Sequence, residues 1–236
     1  MPNTIFLIPN TITDEIPNIF PAYISQTIEH VRFFAIEEEK SARRLLKKIY
    51  PQFPLDQTVF VNLSEHSKAQ DIQNIFKDAG NQDIGMISEA GVPCVADPGA
   101  ELVLLAHQKN WQVVPLVGPS AILLALMASG LNGQNFSFLG YLPKEKDLRI
   151  QKIKMLEQRS ASEQQTQIFM ETPYRNEHLL EDILNFLKQD TLLCIACDLT
   201  APAQFVKTLS IKEWKSREMP PVRKRPTVFL LQAEER

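Results

Sequence analysis

Apolar and polar positions along this chain follow two periods, and the period switches repeatedly. Short β-branched or aromatic runs at 4–8, 31–36, 58–63, 84–87 and 111–115 predict strands. Between them, 38–50, 68–79 and 98–109 place apolar residues at i, i+3 and i+4, as with Leu45, Leu46 and Ile49, and predict helices. Strand and helix in alternation are the pattern of βαβ units around a largely parallel sheet. The second half restarts it. A helix over 120–129 ends at Gly130, strands follow at 136–139 and 167–171, and helices at 145–157 and 176–188. The closing strands at 192–197, 204–209 and 227–232 come without helices long enough to cross between them, which predicts a mixed sheet. The fold class expected is α/β in two α/β domains. One spans 1–116 with a mainly parallel sheet and the other 117–236 with a mixed sheet, joined near 116–118.

Composition narrows the chemistry. The chain has 236 residues, 44% hydrophobic and 22% charged, an ordinary globular balance. Its 8 Gly all lie between Gly80 and Gly140. An N-terminal P-loop or dinucleotide fingerprint is therefore excluded. The net charge of −3 gives no global attraction to nucleic acid, so such binding needs a local patch. One basic cluster lies at Lys207, Lys212, Lys215, Arg217, Arg223, Lys224 and Arg225. The N-terminus lacks a signal-peptide pattern, and no apolar run is long enough for a membrane span. Three cysteines do not make a disulfide scaffold, and a cytoplasmic protein is expected. Cys194 and Cys197 sit in a strand run, three apart and so on opposite faces, which predicts core thiols rather than a metal pair. The histidines are scattered, and no metal site is expected.

Three segments are placed for chemistry. The run from Ile87 to Gly99 joins a strand to a helix, with Asp97 as expected N-cap and Pro98 at the first helical position. Long loops at the carboxyl ends of strands in α/β sheets are where ligands bind. The second segment, Val117-Gly-Pro-Ser-Ala121, again leads from strand to helix, and the helix's free N–H groups favour an anion. It lacks the Gly-x-Ser-x-Gly of a hydrolase elbow. The third, Glu171-Thr-Pro-Tyr-Arg175, gathers an acid, a phenol and a guanidinium at a strand end.

These residues carry a resemblance. Ser88-Glu-Ala-Gly-Val-Pro, Ala96-Asp-Pro-Gly99, Val114-Pro-Leu-Val-Gly-Pro-Ser-Ala121, Ala128-Ser-Gly-Leu131 and Phe138-Leu-Gly-Tyr-Leu-Pro-Lys144 resemble the tetrapyrrole methylase superfamily. They are most similar to the branch that methylates the 2′-hydroxyl of a cytidine in bacterial small-subunit ribosomal RNA. Ala35-Ile-Glu-Glu-Glu-Lys-Ser-Ala-Arg-Arg-Leu-Leu46, Ser64-Glu-His-Ser67 and Glu171-Thr-Pro-Tyr-Arg175 extend the likeness over nearly the whole chain. Three departures stand out. The branch's Gly-containing first loop is here Pro9-Asn-Thr-Ile-Thr-Asp14, Glu89 replaces an Asp, and the run from Cys197 to Gln204 lacks the branch's paired acids.

The resemblance implies two α/β domains with S-adenosylmethionine bound in the cleft between them, and a homodimer. It implies cofactor contacts at Ser88, Glu89, Ala90, Gly91, Val92, Ser120, Ala121, Leu142, Thr200, Ala201, Pro226 and Thr227. The function expected is S-adenosylmethionine-dependent methylation of a ribose 2′-hydroxyl in ribosomal RNA. A hydroxyl that accepts a methyl group loses a proton, so acids are the candidate catalysts: Glu37, Glu171 and Asp97. Lys40, Arg43 and Arg175 are the candidates for contact with RNA phosphate. The alternatives are methylation of a tetrapyrrole or other small molecule, or a non-catalytic relative that binds RNA or the ribosome.

Overall fold

The computed structural model describes residues 3–13 and 19–234. The chain divides into two compact units, Met1–Ser120 and Ala121–Arg236.

In the first unit five parallel strands form one sheet: β1 (Thr4–Ile8), β2 (Phe33–Ile36), β3 (Val59–Asn62), β4 (Ile84–Ile87) and β5 (Gln112–Pro115). Their spatial order is β3-β2-β4-β1-β5. β2 and β4, FFAI and IGMI, are buried at every position. That is what a parallel strand covered on both faces requires. The helices are α1 (Tyr23–Ile28), α2 (Glu39–Ile49), α3 (Ala69–Ala79) and α4 (Ala100–Gln108). One face of the sheet, with Ile5, Phe33, Ala35, Ile84 and Met86, packs on Ile72, Ile75 and Phe76 of α3 and Leu102 and Ala106 of α4. The other, with Ile8, Phe34, Ile36 and Ile87, packs on Ile24 and Ile28 of α1 and Leu45 and Leu46 of α2. The alternation of side chains along each strand thus feeds two cores, one per face.

In the second unit the strands are β6 (Phe136–Tyr141), β7 (Thr166–Met170), β8 (Leu192–Cys197), β9 (Phe205–Ser210) and β10 (Thr227–Gln232). The order is β6-β7-β10-β8-β9. β6 and β7 are parallel, and every other pairing is antiparallel. The mixed sheet expected from the closing strands is thus found. The helices are α5 (Ala121–Ser129), α6 (Lys146–Glu163), α7 (Asn176–Phe186) and α8 (Ile211–Lys215). Phe169, Leu193, Ile195, Phe229 and Leu231 pack with α6, α7 and α8, and Ile168, Cys194, Ala196, Val228 and Leu230 pack with α5.

One local expectation is corrected. α4 begins at Ala100, with Gly99 at φ 125° in the cap position and no side-chain cap bond. Asp97 is not the N-cap and Pro98 is not the first helical residue, since both precede the cap. Among the described residues no helix is long and apolar enough to cross a membrane.

Candidate active site

The strand order sets three loops of the first unit side by side. β1 leads into Pro9 and Asn10, β2 into Glu37, and β4 into Ser88 and Glu89. The neighbours β2-β4-β1 therefore bring distant stretches of sequence together. Asn10 is the joint. It is 3% exposed, and its amide donates to Ser88 O at 3.1 Å, Glu89 O at 2.8 Å and Ser41 Oγ at 3.1 Å. Its Oδ1 accepts from Thr11 N, and its own backbone N–H donates to Gly91 O at 2.7 Å. From the other side the Glu37 carboxylate accepts from Glu89 N at 3.0 Å. The 88–91 backbone is thus clamped by β1 on one flank and β2 on the other.

The 118–120 segment packs against the same place. Gly91 has φ +69°, a left-handed backbone that favours glycine, and a Cβ there would lie 3.4 Å from Pro119 O. A Cβ on Gly118 would come within 2.1 Å of Pro9 Cβ. Only glycine fits beside the proline ring without movement.

Acids crowd this loop cluster. Asp97 is pushed up to about 6, first by burial, then by Glu37 and Glu89, with a hydrogen bond from Ser88 opposing. Burial and Asp97 push the Cys94 thiol up to about 11, so it stays protonated at neutral pH. Among the described residues neither Glu37, Glu89 nor Asp97 forms an ion pair with a cation.

α2 starts beside this cluster. Exposed Glu38 caps it by accepting from the Lys40 and Ser41 amides, and those bonds hold its carboxyl below the ordinary value. Ala42, Leu45 and Leu46 are buried on one side, while Lys40, Arg43, Arg44, Lys47 and Lys48 recur at helical spacing on the other. Arg43 pairs with Glu39 at 2.7 Å and lies over the Phe60 ring. Asn10, Thr11, Ser41, Arg44, Lys47 and Lys48 help line a pocket of about 380 Å³.

The second unit gathers its own set. β10 runs antiparallel to β7 and β8, so Thr227 at its start lies beside the ends of both, with Val228 opposite Met170 and Thr227 opposite Cys197. Glu171, one residue past β7, is fully buried at its side chain. It is ion-paired with Arg175 and accepts from Thr172 N. Asn176, also fully buried, donates to Val222 O, Arg225 O and Thr227 Oγ1. Asp198 pairs with Arg225 at 2.6 Å and donates its N–H to Pro226 O. Asp198 and Thr200 both hold positive φ, 48° and 73°. Four buried atoms at this end have no partner among the described residues: Glu171 Oε2, Arg175 Nε, Asn176 Oδ1 and Thr200 Oγ1. Buried polar atoms are nearly always satisfied, so such a cluster marks a place where a ligand or water completes the network.

The residues expected from sequence thus fall into separate groups. Glu37, Ser88, Glu89, Ala90, Gly91, Val92, Asp97 and Ser120 belong to the first unit, with Lys40 and Arg43 on the adjoining helix. Glu171, Arg175, Thr200, Ala201, Pro226 and Thr227 lie at one end of the second sheet. Leu142 is 3% exposed and part of the core. Ala121 opens α5. Asp14, the end of the altered first loop, lies outside the described residues. The sequence reading missed Asn10 and Asn176. The one signal for Asn10 was its place at a strand's carboxyl end, which does not name the distant carbonyls it bonds. Cys194 and Cys197 are free and buried, as expected of core thiols, and burial raises both pKa values. Among the described residues no group of three or more His, Cys, Asp or Glu is placed to hold a metal.

Comparison with known proteins agrees with this gathering of motifs. The chain is 34% identical over 184 residues to ribosomal RNA small subunit methyltransferase I of Vibrio cholerae, covering 78% of this chain and 61% of the relative. It is 32% identical over 175 residues to the protein of the same name from Synechocystis, covering 74% and 60%. The chain thus spans about three fifths of the length of these curated relatives. Its fold matches that of uroporphyrin-III C-methyl transferase from Thermus thermophilus, solved with S-adenyl homocysteine. The TM-score is 0.56 at 13% identity, covering 98% of this chain and 97% of that one. A match to the family described as tetrapyrrole (corrin/porphyrin) methylases spans residues 23–215, most of the chain, and on that match the protein belongs to this family.

Proposed function

We propose that the protein is an S-adenosylmethionine-dependent methyltransferase that acts on a ribose 2′-hydroxyl in small-subunit ribosomal RNA, as a cytoplasmic homodimer. The observation that carries the reading is the clamped loop 88–91 with three acids around it and, among the described residues, no cation paired to them. S-adenosylmethionine supplies an electrophilic methyl group on a sulfonium. That positive charge and the ammonium of its methionyl part suit Glu37, Glu89 and Asp97. The cofactor has no phosphate, in keeping with a chain that has no Gly-rich phosphate loop. The orphaned Asn176 Oδ1 and Thr200 Oγ1 add acceptors for a nucleoside's N–H and O–H groups. The residues proposed to hold it are those named for it in the sequence: Ser88 to Val92, Ser120, Ala121, Leu142, Thr200, Ala201, Pro226 and Thr227.

The chain's own work is positioning and proton acceptance. Asp97, with a pKa of about 6, is ionised at neutral pH yet basic enough to take a hydroxyl proton, and it is the first candidate. Glu171, fixed by Arg175 and with one oxygen unpartnered, is the second. The cationic side of α2, on a chain of net charge −3, suits RNA phosphate. The ribosomal substrate is supported by the names of the relatives in Vibrio and Synechocystis.

The test has two parts. Calorimetry with S-adenosylhomocysteine should give saturable binding that tightens as pH rises through about 6. The sign follows because the ligand's ammonium group prefers ionised Asp97. Labelled S-adenosylmethionine should then transfer its methyl group to small ribosomal subunits lacking the modification, as a ribose-methylated nucleotide. No binding at millimolar ligand would favour a non-catalytic relative, and transfer to a porphyrin panel instead would overturn the RNA substrate. Sedimentation of the protein alone checks the dimer.

A further inference from the structure

Three of the seven basic residues clustered near the C-terminus are engaged. Arg225 pairs with Asp198, Arg223 lies 3.6 Å from Glu177, and Lys224 sits over the Tyr174 ring. Lys207 and Arg217 differ. Both are exposed, and neither forms an ion pair among the described residues, although both add to the Ser210 hydrogen bonds that hold the Glu213 carboxyl below its ordinary value. They line one groove of about 640 Å³.

The groove follows from the local fold. β9 is the edge strand of its sheet, and Phe205, Lys207 and Leu209 alternate onto one of its faces. α8 then turns the chain back, fixed at its start by a reciprocal cap between Ser210 and Glu213. Residues 217–221 return along the strand and close the far wall with Met219 and Pro220. Trp214 is held in place because its indole N–H donates to Leu193 O at 2.9 Å. The result is an aromatic and apolar wall with two cations at its rim and one carboxylate, Glu218. One end of the groove reaches the functional end of the sheet. Phe205 is paired with Cys197, and Pro221 O accepts from Arg225 Nη1 beside Asp198.

We propose that this groove binds an unpaired stretch of the RNA substrate flanking the target nucleotide. Phe205 and Met219 take bases above a floor formed by buried Trp214, and Lys207 and Arg217 take phosphates. The inference rests on the reading of the protein as an RNA methyltransferase. A cationic rim beside an aromatic wall is how proteins hold single strands without reading sequence. Against Lys207, Lys212, Lys215 and Arg217 of this stretch stand two carboxylates, Glu213 and Glu218, a balance that disfavours a basic peptide.

The chain has two tryptophans, so Trp111→Phe leaves Trp214 as the only reporter. Titration with unstructured oligouridylate should give a saturable change in Trp214 emission that weakens with salt. Lys207→Ala with Arg217→Ala should weaken binding about tenfold and reduce the log–log salt slope by roughly 1.4, the value for two lost phosphate contacts on a single strand. S-adenosylhomocysteine affinity should not change in that variant. Filter binding on the double variant with both tryptophans intact gives the same comparison should Trp111→Phe fail to fold. Three results would overturn the proposal: no emission change with RNA, an equal change with heparin, or tighter binding of an acidic peptide than of RNA. If RNA binding is normal in the double variant while ribosomal subunits are still methylated, the groove is wrong and the substrate reading stands. If RNA binds the groove but no methyl group is transferred, the groove stands and the enzymatic reading fails.

Discussion

In the second unit the buried guanidinium of Arg149 meets Asp182 at 2.6 Å, Glu171 meets Arg175, and buried Glu157 accepts from Lys188 N and Thr191 Oγ1. In the first unit Glu37, Glu89 and Asp97 stand together with no such partner among the described residues, and burial first, then the two neighbouring acids, raises the pKa of Asp97. Paired charges fix a geometry whether or not a ligand is present. Crowded acids cost stability, and a cation beside them would relieve that cost. The comparison separates charges that are paired within the fold from acids whose charge is left uncompensated.

The largest expected effect attacks the scaffold. Arg149→Met leaves the Asp182 carboxylate buried alone and should cost about 4 kcal/mol. Urea unfolding should show this as a lower midpoint at unchanged slope. A loss below about 1 kcal/mol would mean that pairing does not distinguish the units. Next come the two asparagines. Asn176→Ala and Asn10→Ala each strand several carbonyl acceptors and should cost about 2 kcal/mol in the same measurement. They should then diverge in function. Asn10→Ala loosens the 88–91 loop and should weaken S-adenosylhomocysteine about tenfold by calorimetry. Asn10→Asp should be worse than Ala, because a carboxylate would face the Ser88 and Glu89 carbonyls.

The smallest effect is the most specific. Asp97 binds its proton more tightly folded than unfolded, so its ionisation drains stability as pH rises from about 4 to about 6. Asp97→Asn removes that loss. Discounted for partial solvent screening, it should stabilise the protein by about 1 kcal/mol above pH 6 and by nothing near pH 4. Thermal melts at the two pH values decide it, and equal gain at both would remove the crowding argument. The same variant should slow methyl transfer if Asp97 takes the proton.

Much of the fold was legible because the signal was local. β1, β4, β8 and β10 have the bounds their apolar runs predict, since a buried strand has to be apolar along its length. α1 and α8 were missed because helices of 6 and 5 residues carry too few turns to show a period. α6 runs on to Glu163 through Arg159, Ser160 and Ser162, whose polar character hid the continuation. Asp97 was misread as a cap because the motif Asp-Pro-Gly fits one, while Gly99 in fact takes that place. The loop 88–92 was legible from its turn residues and its strand-end position. Asn10 was not, because its meaning lies in bonds to residues 78 and 79 positions away, and only the strand order brings them near.

The contact between Pro9 and Gly118 has a further consequence for heredity. Because a Cβ at 118 would fall inside the proline ring, the two positions behave as a single unit of variation. A library randomised at 118 alone should return glycine. One randomised at both should return pairs of nearly constant summed volume, so that the first strand's exit and the start of the second unit's leader drift together through descent or not at all.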